Sequence, residues 1–501
     1  LVTSGVVSLN GTGIGSLTLN SGTLSANGPI DLSGALTLTA GTLAMAGNLL
    51  NVAGSISRGT GVITSSGTVV LDGAGAQSVA LAGSTLATLS VANTGTVTTA
   101  GSFSTADFAK TLAGTFTLAA ADTLSVSSSF AASAGTVALD GIYDGGTATF
   151  DVNGASVTVG TLAFAAGDMS VSSGSFTQTG LNNPLGNQTL ASLDVGAAGN
   201  VVWDSGSNGG DLIIAGDLAN AGTLDFNDKN VSIGGGLSGN LVFLDLVIPT
   251  GKTLSRAIGS SLTVLRNFTI EDGGSYVHNG QALTLGGSSI AVGDIRDENA
   301  VTLQDLGAVA LASGGAATVK TLGTPVFAAS ISIGADVTLD AAANDVTVSG
   351  TLDGAGALSA SGSQTITVGG NFAPGAFGAG TSLVLLDGSA APVSAGAFAY
   401  NDLEIAKTLG TDTVNLASGA GVGGALAVTT GTLALGGDLT VAGAVSNDGT
   451  IAVGGNSFTF AGYSGIAGTV RVATGSVSNT GAASTISTLD VTTSAGIDGG
   501  A

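Results

Sequence analysis

The chain has 501 residues, no cysteine, 84 glycines and only 10 Lys/Arg against 33 Asp/Glu, for a net charge of −23. This composition excludes a disulfide framework and thiolate metal sites, and so few cations leave little with which to hold nucleic-acid phosphate or an anionic membrane surface. Apolar residues nevertheless reach 44% with aromatics at 4%, which suits a long, thin, aliphatic core rather than a disordered segment.

The opening Leu1-Val2-Thr3-Ser4-Gly5 lacks Met and any basic-then-apolar leader, which points to a processed form or an excised piece. From Ile14 onward two phrases return. The first is Gly-Thr-Leu, at Gly22-Thr23-Leu24, Gly41-Thr42-Leu43, Gly222-Thr223-Leu224, Gly350-Thr351-Leu352 and Gly431-Thr432-Leu433. The second is apolar-x-x-Leu-x-apolar, at Ile14/Leu17/Leu19, Leu86/Leu89/Val91, Val159/Leu162/Phe164, Leu190/Leu193/Val195, Leu241/Leu244/Leu246 and Ile486/Leu489/Val491.

Residues 31–56 show the unit. Leu36/Leu38, Leu43/Met45 and Leu50/Val52 form three pairs on one face of three short strands, with Thr, Ser, Ala or Asn on the other face. Gly34, Gly41, Gly47 and Gly54 fall between them, where the chain must bend. Three strands of three to five residues and three turns close one coil, and successive coils stack with their strands parallel.

The same alternation runs through the middle of the chain and is clear again at Leu433/Leu435, Leu439/Val441, Ile451/Val453 and Phe458/Phe460. The fold class expected is therefore an all-β parallel β-helix solenoid of about 19–20 residues per coil, roughly 25 coils in all. Blocks of about 70–86 residues overlie the short repeat, as in Val69-Val70-Leu71-Asp72-Gly73 and Val384-Leu385-Leu386-Asp387-Gly388. They favour one continuous rod over residues 1–501, on the order of 120 Å long at the strand spacing. A membrane β-barrel is set aside, because it needs aromatic girdles and longer strands. No apolar stretch is long enough for a transmembrane helix.

The cadence at Gly431–Thr450, Gly-Thr-Leu-x-Leu through Val-x-Asn-x-Gly-Thr, resembles the filamentous-haemagglutinin and autotransporter-passenger type of bacterial β-strand repeat. The resemblance covers essentially the whole chain. It implies a right-handed parallel β-helix exported to the bacterial cell surface, serving adhesion, biofilm or an extracellular coat.

Candidate sites are few. His278 is the single histidine, with Glu271 and Asp272 as carboxylates for an acid–base pair, though a solvent-facing residue before the Asn279-Gly280 turn is the simpler reading. Asp294, Asp297 and Glu298 could supply oxygens to calcium, as could Asp225/Asp228 and Asp204/Asp211, but solubilising turn charges account for them as well. Six of the ten cations, Lys229, Lys252, Arg256, Arg266, Arg296 and Lys320, fall in one stretch. A binding or subunit-contact patch is expected there, on Lys252, Arg256, Arg266, His278 and Arg296.

No catalytic constellation, cofactor or nucleic-acid partner is expected. Both termini read as ordinary repeat text without polar caps, which suggests a longer rod, head-to-tail stacking or a covering partner. The function expected is a structural subunit of an extracellular filament, sheath or coat that self-associates. A surface adhesin binding cells or glycans is the alternative, and a polysaccharide-active enzyme stands third.

Overall fold

A computed structural model describes residues 6–160, 164–179, 188–203, 212–226, 230–248, 252–271, 274–285, 292–297, 305–312, 317–390, 392–464, 467–481, 484–492 and 496–498. Every regular element among them is a β-strand, and every strand pairing is parallel. The contacts group into two units, Leu1–Leu244 and Asp245–Ala501. Each unit is a β-solenoid by itself, and about 21 coils occur in all.

The coil follows from the alternation. In Leu36–Leu38, Leu50–Val52 and Val346–Val348 the first and third residues are buried and the middle one is not. Cα register then stacks like on like. Leu17, Leu36 and Ile56 form one inward column, with Leu24 and Leu43 in another.

Coil length varies more than the sequence suggests. Thr432 pairs with Thr450, an offset of 18 residues, but Gln188 pairs with Leu212 and Val292 with Val319, offsets of 24 and 27. These longer coils account for about 21 turns in place of the roughly 25 expected.

The Gly-Thr-Leu phrase marks a turn where two coils approach closely. Gly41 has φ +94°, and a Cβ there would lie 2.2 Å from the Gly22 carbonyl oxygen of the coil before. Gly431 repeats the positive φ at +99°. Thr42 and Leu43 then enter the next strand opposite Thr23 and Leu24.

The second phrase marks a corner. Leu86, Leu89 and Val91 are all buried, and pairing with the preceding coil skips a residue between Leu86 and Thr88. A β-bulge there bends the strand without breaking the ladder. The same device explains strands far longer than three to five residues, such as Phe164–Gln178 and Gln188–Trp203, each of which carries the ladder round a bend.

The core is also less aliphatic than composition implies. In the first unit the aromatics converge on a buried stack. Phe108, Phe130 and Phe150 lie ring on ring, with centroids 4.8 and 4.3 Å apart and interplanar angles of 9° and 2°. The run continues through Phe176, Trp203 and Phe226 to Phe243. Register creates the Phe108–Phe130–Phe150 part, because a parallel in-register ladder places column mates one strand spacing apart, about 4.8 Å, which is also a stacking distance for rings. The second unit holds a separate cluster of Phe372, Phe377, Phe398 and Tyr400.

Candidate functional site

The cations do not behave as a surface patch. Arg256 is 1% exposed. It occupies an inward position of strand Thr253–Arg256, and its guanidinium donates to the Ala282 and Ser260 carbonyls at 2.6 Å each and to the Tyr276 hydroxyl at 3.4 Å. It is a core cation that ties two coils together, so it is removed from the expected contact patch. Lys320 is also buried, while Lys252 is exposed. The side chains of Arg266 and Arg296 lie outside the described residues, as does Lys229 entirely.

His278 is half-buried. Its Nδ1 accepts from the Gly280 N–H at 3.0 Å, and its Nε2 lies 3.9 Å from Asp305 Oδ2. The carboxylate brought to it is thus Asp305 of the following coil, itself fixed by the Gly307 N–H at 2.8 Å. Asp272 lies outside the described residues. Gly307 lies flat against the imidazole, where a Cβ would sit 2.7 Å from Nδ1. This is a structured turn with one carboxylate 3.9 Å from the imidazole.

Of the calcium candidates, Asp294 and Asp297 lie on strand Val292–Asp297, opposite Thr321 and Ile270, with side chains outside the described residues. Glu298, Asp228, Asp204 and Asp211 lie outside them altogether. Among the described residues no three His, Asp or Glu side chains gather as a metal site, and no helix is long and apolar enough to cross a membrane.

The outward faces carry hydroxyls in register. Ser57 Oγ donates to Thr37 Oγ1 at 3.2 Å, Ser175 to Ser156 at 3.0 Å and Ser476 to Ser457 at 3.0 Å, each pair spanning adjacent coils.

One such column, in the first unit, lies in a hollow. Thr64, Thr85, Ser104, Ser125 and Asp144 follow one another, each paired Cα to Cα with the next. Bulges at Leu86/Thr88 and Thr105/Asp107 bend the coils here, and the surface sinks into an open trough. Its main stretch measures about 570 Å³, and its lining includes Gly145, Gly146 and Thr147. Two further hollows share Thr85 with it, one lined by Thr64 and Ser66 and the other by Gly83 and Ser102.

Two kinds of hydroxyl occupy this region. Those of Ser65, Ser84 and Thr105 are buried and spent on the backbone. Ser65 accepts from Gly67 N–H at 3.1 Å, Ser84 accepts from Ile63 N–H at 3.1 Å, and Thr105 donates to the Asp107 carbonyl at 2.8 Å. Those of Thr64, Thr85, Ser104 and Ser125 line the trough and bond to no described residue. Beneath Gly145 lies Tyr143, which is 1% exposed and whose hydroxyl has no hydrogen-bond partner among the described residues. A Cβ on Gly145 would sit 2.7 Å from that oxygen.

The trough escaped the sequence reading, although Thr64, Thr85, Ser104 and Ser125 recur at steps of 21, 19 and 21 residues, a signal that was available. Its chemistry is that of a hydrogen-bonding surface with a single carboxylate. It can hold a polar ligand, but it contains no nucleophile beside a base.

Comparison with known proteins finds no matching protein-family model, no matching curated protein and no matching solved structure.

Proposed function

We propose that the chain is a structural component of an extracellular bacterial filament, sheath or surface coat. The observation that carries this reading is the in-register repetition of small hydroxyl side chains on the outward faces, with bonded pairs at Thr37/Ser57, Ser156/Ser175 and Ser457/Ser476. Such a face loses little side-chain entropy when a neighbour packs on it, and it presents the same pattern at every strand spacing. The acidic excess of −23 keeps isolated chains soluble until lateral contacts outweigh repulsion.

Electron microscopy with sedimentation velocity tests the reading. Ordered assemblies are expected at physiological salt. Placing lysines on an outward face, as Thr37→Lys with Ser57→Lys, is expected to abolish them while the β-sheet circular dichroism stays unchanged. Monodisperse wild-type particles under all conditions would overturn it. A second reading, a surface adhesin, is favoured by one feature, the trough along Thr64–Asp144.

A further inference from the structure

We propose that Asn153-Gly154 is a self-modification site, where the chain converts an asparagine amide into a carboxylate through a cyclic imide, and that the fold singles this step out from its other Asn-Gly steps. The pair stands in the bend of strand Thr149–Val159. Pairing with the next coil slips on both sides of Asn153, between Val152/Val171 and Ser156/Ser175, so the segment sits at a bulge rather than in the regular ladder. Asn153 and Gly154 are both exposed to water.

Three features favour the reaction. Ser173 of the following coil donates its hydroxyl to Asn153 Oδ1 at 2.9 Å. That bond draws electrons from Cγ and stands where negative charge develops when a nucleophile adds to it. The departing Nδ2 is held by no described residue. The nucleophile, Gly154 N, has no side chain beside it, and the fold keeps it so. Gly154 has φ +102°, and a Cβ there would lie 2.9 Å from the Ser133 carbonyl oxygen.

The step balances with water alone. Hydroxide takes the Gly154 N–H proton, the nitrogen bonds to Asn153 Cγ, and the Cγ–Nδ2 bond breaks. The departing nitrogen takes a proton from water and leaves as ammonia. Water then opens the imide at either carbonyl, giving aspartate or its β-linked isomer.

Asn279-Gly280 shows the opposite arrangement. Asn279 has φ +50°, its Nδ2 donates to the Arg256 carbonyl at 2.6 Å and to Ser255 Oγ at 3.3 Å, and the Gly280 N–H donates to His278 Nδ1 at 3.0 Å. Leaving group and nucleophile are both tied, and these bonds must break before the imide closes. Asn27-Gly28, the third such pair among the described side chains, has no hydroxyl on its amide oxygen, and Gly28 is buried. The inference rests on neither the filament nor the adhesin reading.

The test incubates the whole chain at pH 8.5 in oxygen-18 water, in buffer and in urea, and follows each site by peptide mapping with mass spectrometry. In buffer Asn153 is expected to convert at least fivefold faster than Asn279, taking up solvent oxygen, and in urea the two rates are expected to converge. Ser173→Ala is expected to slow conversion of Asn153 severalfold with an unchanged melting temperature, and Ser173→Thr, which keeps the hydroxyl, to restore it. Equal rates at Asn153 and Asn279 in buffer, the same excess at Asn153 in urea, no slowing in Ser173→Ala, or no restoration by threonine overturns the proposal.

Discussion

Lys110 stands in a lumen column between Val91 and Ala132, and the column runs on through Val152, Val171 and Val195. Its ammonium donates to the Leu112 carbonyl. Lys407 is buried in the same manner in the second unit, donating to the Gly369 carbonyl at 3.1 Å and to that of Asp387. Burial lowers the pKa of Lys110, Lys320 and Lys407 below the usual lysine value of 10.5. The sign follows directly. Between the depressed native value and 10.5 the unfolded chain binds more protons, so these lysines make stability rise with pH across that window, and their penalty is complete below it. Tyr143 and Tyr400 act oppositely, because burial raises their pKa. Their contribution is intact below about pH 10 and is lost above it, as the unfolded phenols ionise. Thermal melts from pH 7 to 11.5 are therefore expected to climb and then fall. Lys110→Met is expected to gain on the order of 1 kcal/mol at pH 7 and to flatten the rising limb.

Residue parity carried this information and charge obscured it. Phe108-Ala109-Lys110 and Leu254-Ser255-Arg256 place the cation on the same face as the apolar residue, which in a strand means inward. Reading cations as surface groups by type put Arg256 in a contact patch, although alternation had already placed it in the core.

Strands and turns were the most legible level. The Gly-Thr-Leu phrase and the Leu pairs mark turns and inward positions as expected, because steric freedom at glycine and the two-residue period are local properties. Coil length was legible where Leu17 pairs with Leu36, Thr42 with Val62 and Thr432 with Thr450, but not where longer turns add residues without disturbing either signal, as between Val292 and Val319. The aromatic stack was hidden because it needs the register that brings Phe108, Phe130 and Phe150, 22 and 20 residues apart, into one column, and side contacts such as Phe150 with Phe176 that no period reveals. Gly41→Ala tests the turn. Positive φ and a 2.2 Å approach to the Gly22 carbonyl both oppose a methyl group, and a loss of about 1–3 kcal/mol is expected in denaturant titration. Phe150→Ala tests the stack. It removes a ring that touches Phe130, Tyr143, Phe164 and Phe176, and a loss of about 3–5 kcal/mol is expected.

At the scale of the whole chain, charge and repetition set the behaviour. With −23 charges and few cations to offset them, added salt is expected to raise the melting temperature between 10 and 150 mM NaCl, most steeply at the low end where the Debye length is longest. Stacked coils interact chiefly with their neighbours, so unfolding need not be two-state. The single tryptophan, Trp203, is fully buried in the first unit, its Nε1 donating to Gln188 at 2.7 Å. Its fluorescence reports the Leu1–Leu244 unit, whereas far-ultraviolet dichroism reports both. Urea transitions followed by the two probes are expected not to coincide, and superimposable curves would show a single cooperative block.

The enclosed lysines also govern how the molecule meets reagents. Of its five lysines, Lys110, Lys320 and Lys407 are sealed inside. Acylating dyes and amine crosslinkers therefore find little purchase on the native chain, and trypsin is denied the same three bonds. Opening any coil that holds one of them uncovers a fresh primary amine, so the mass added by a brief acylation pulse records which coils have come apart.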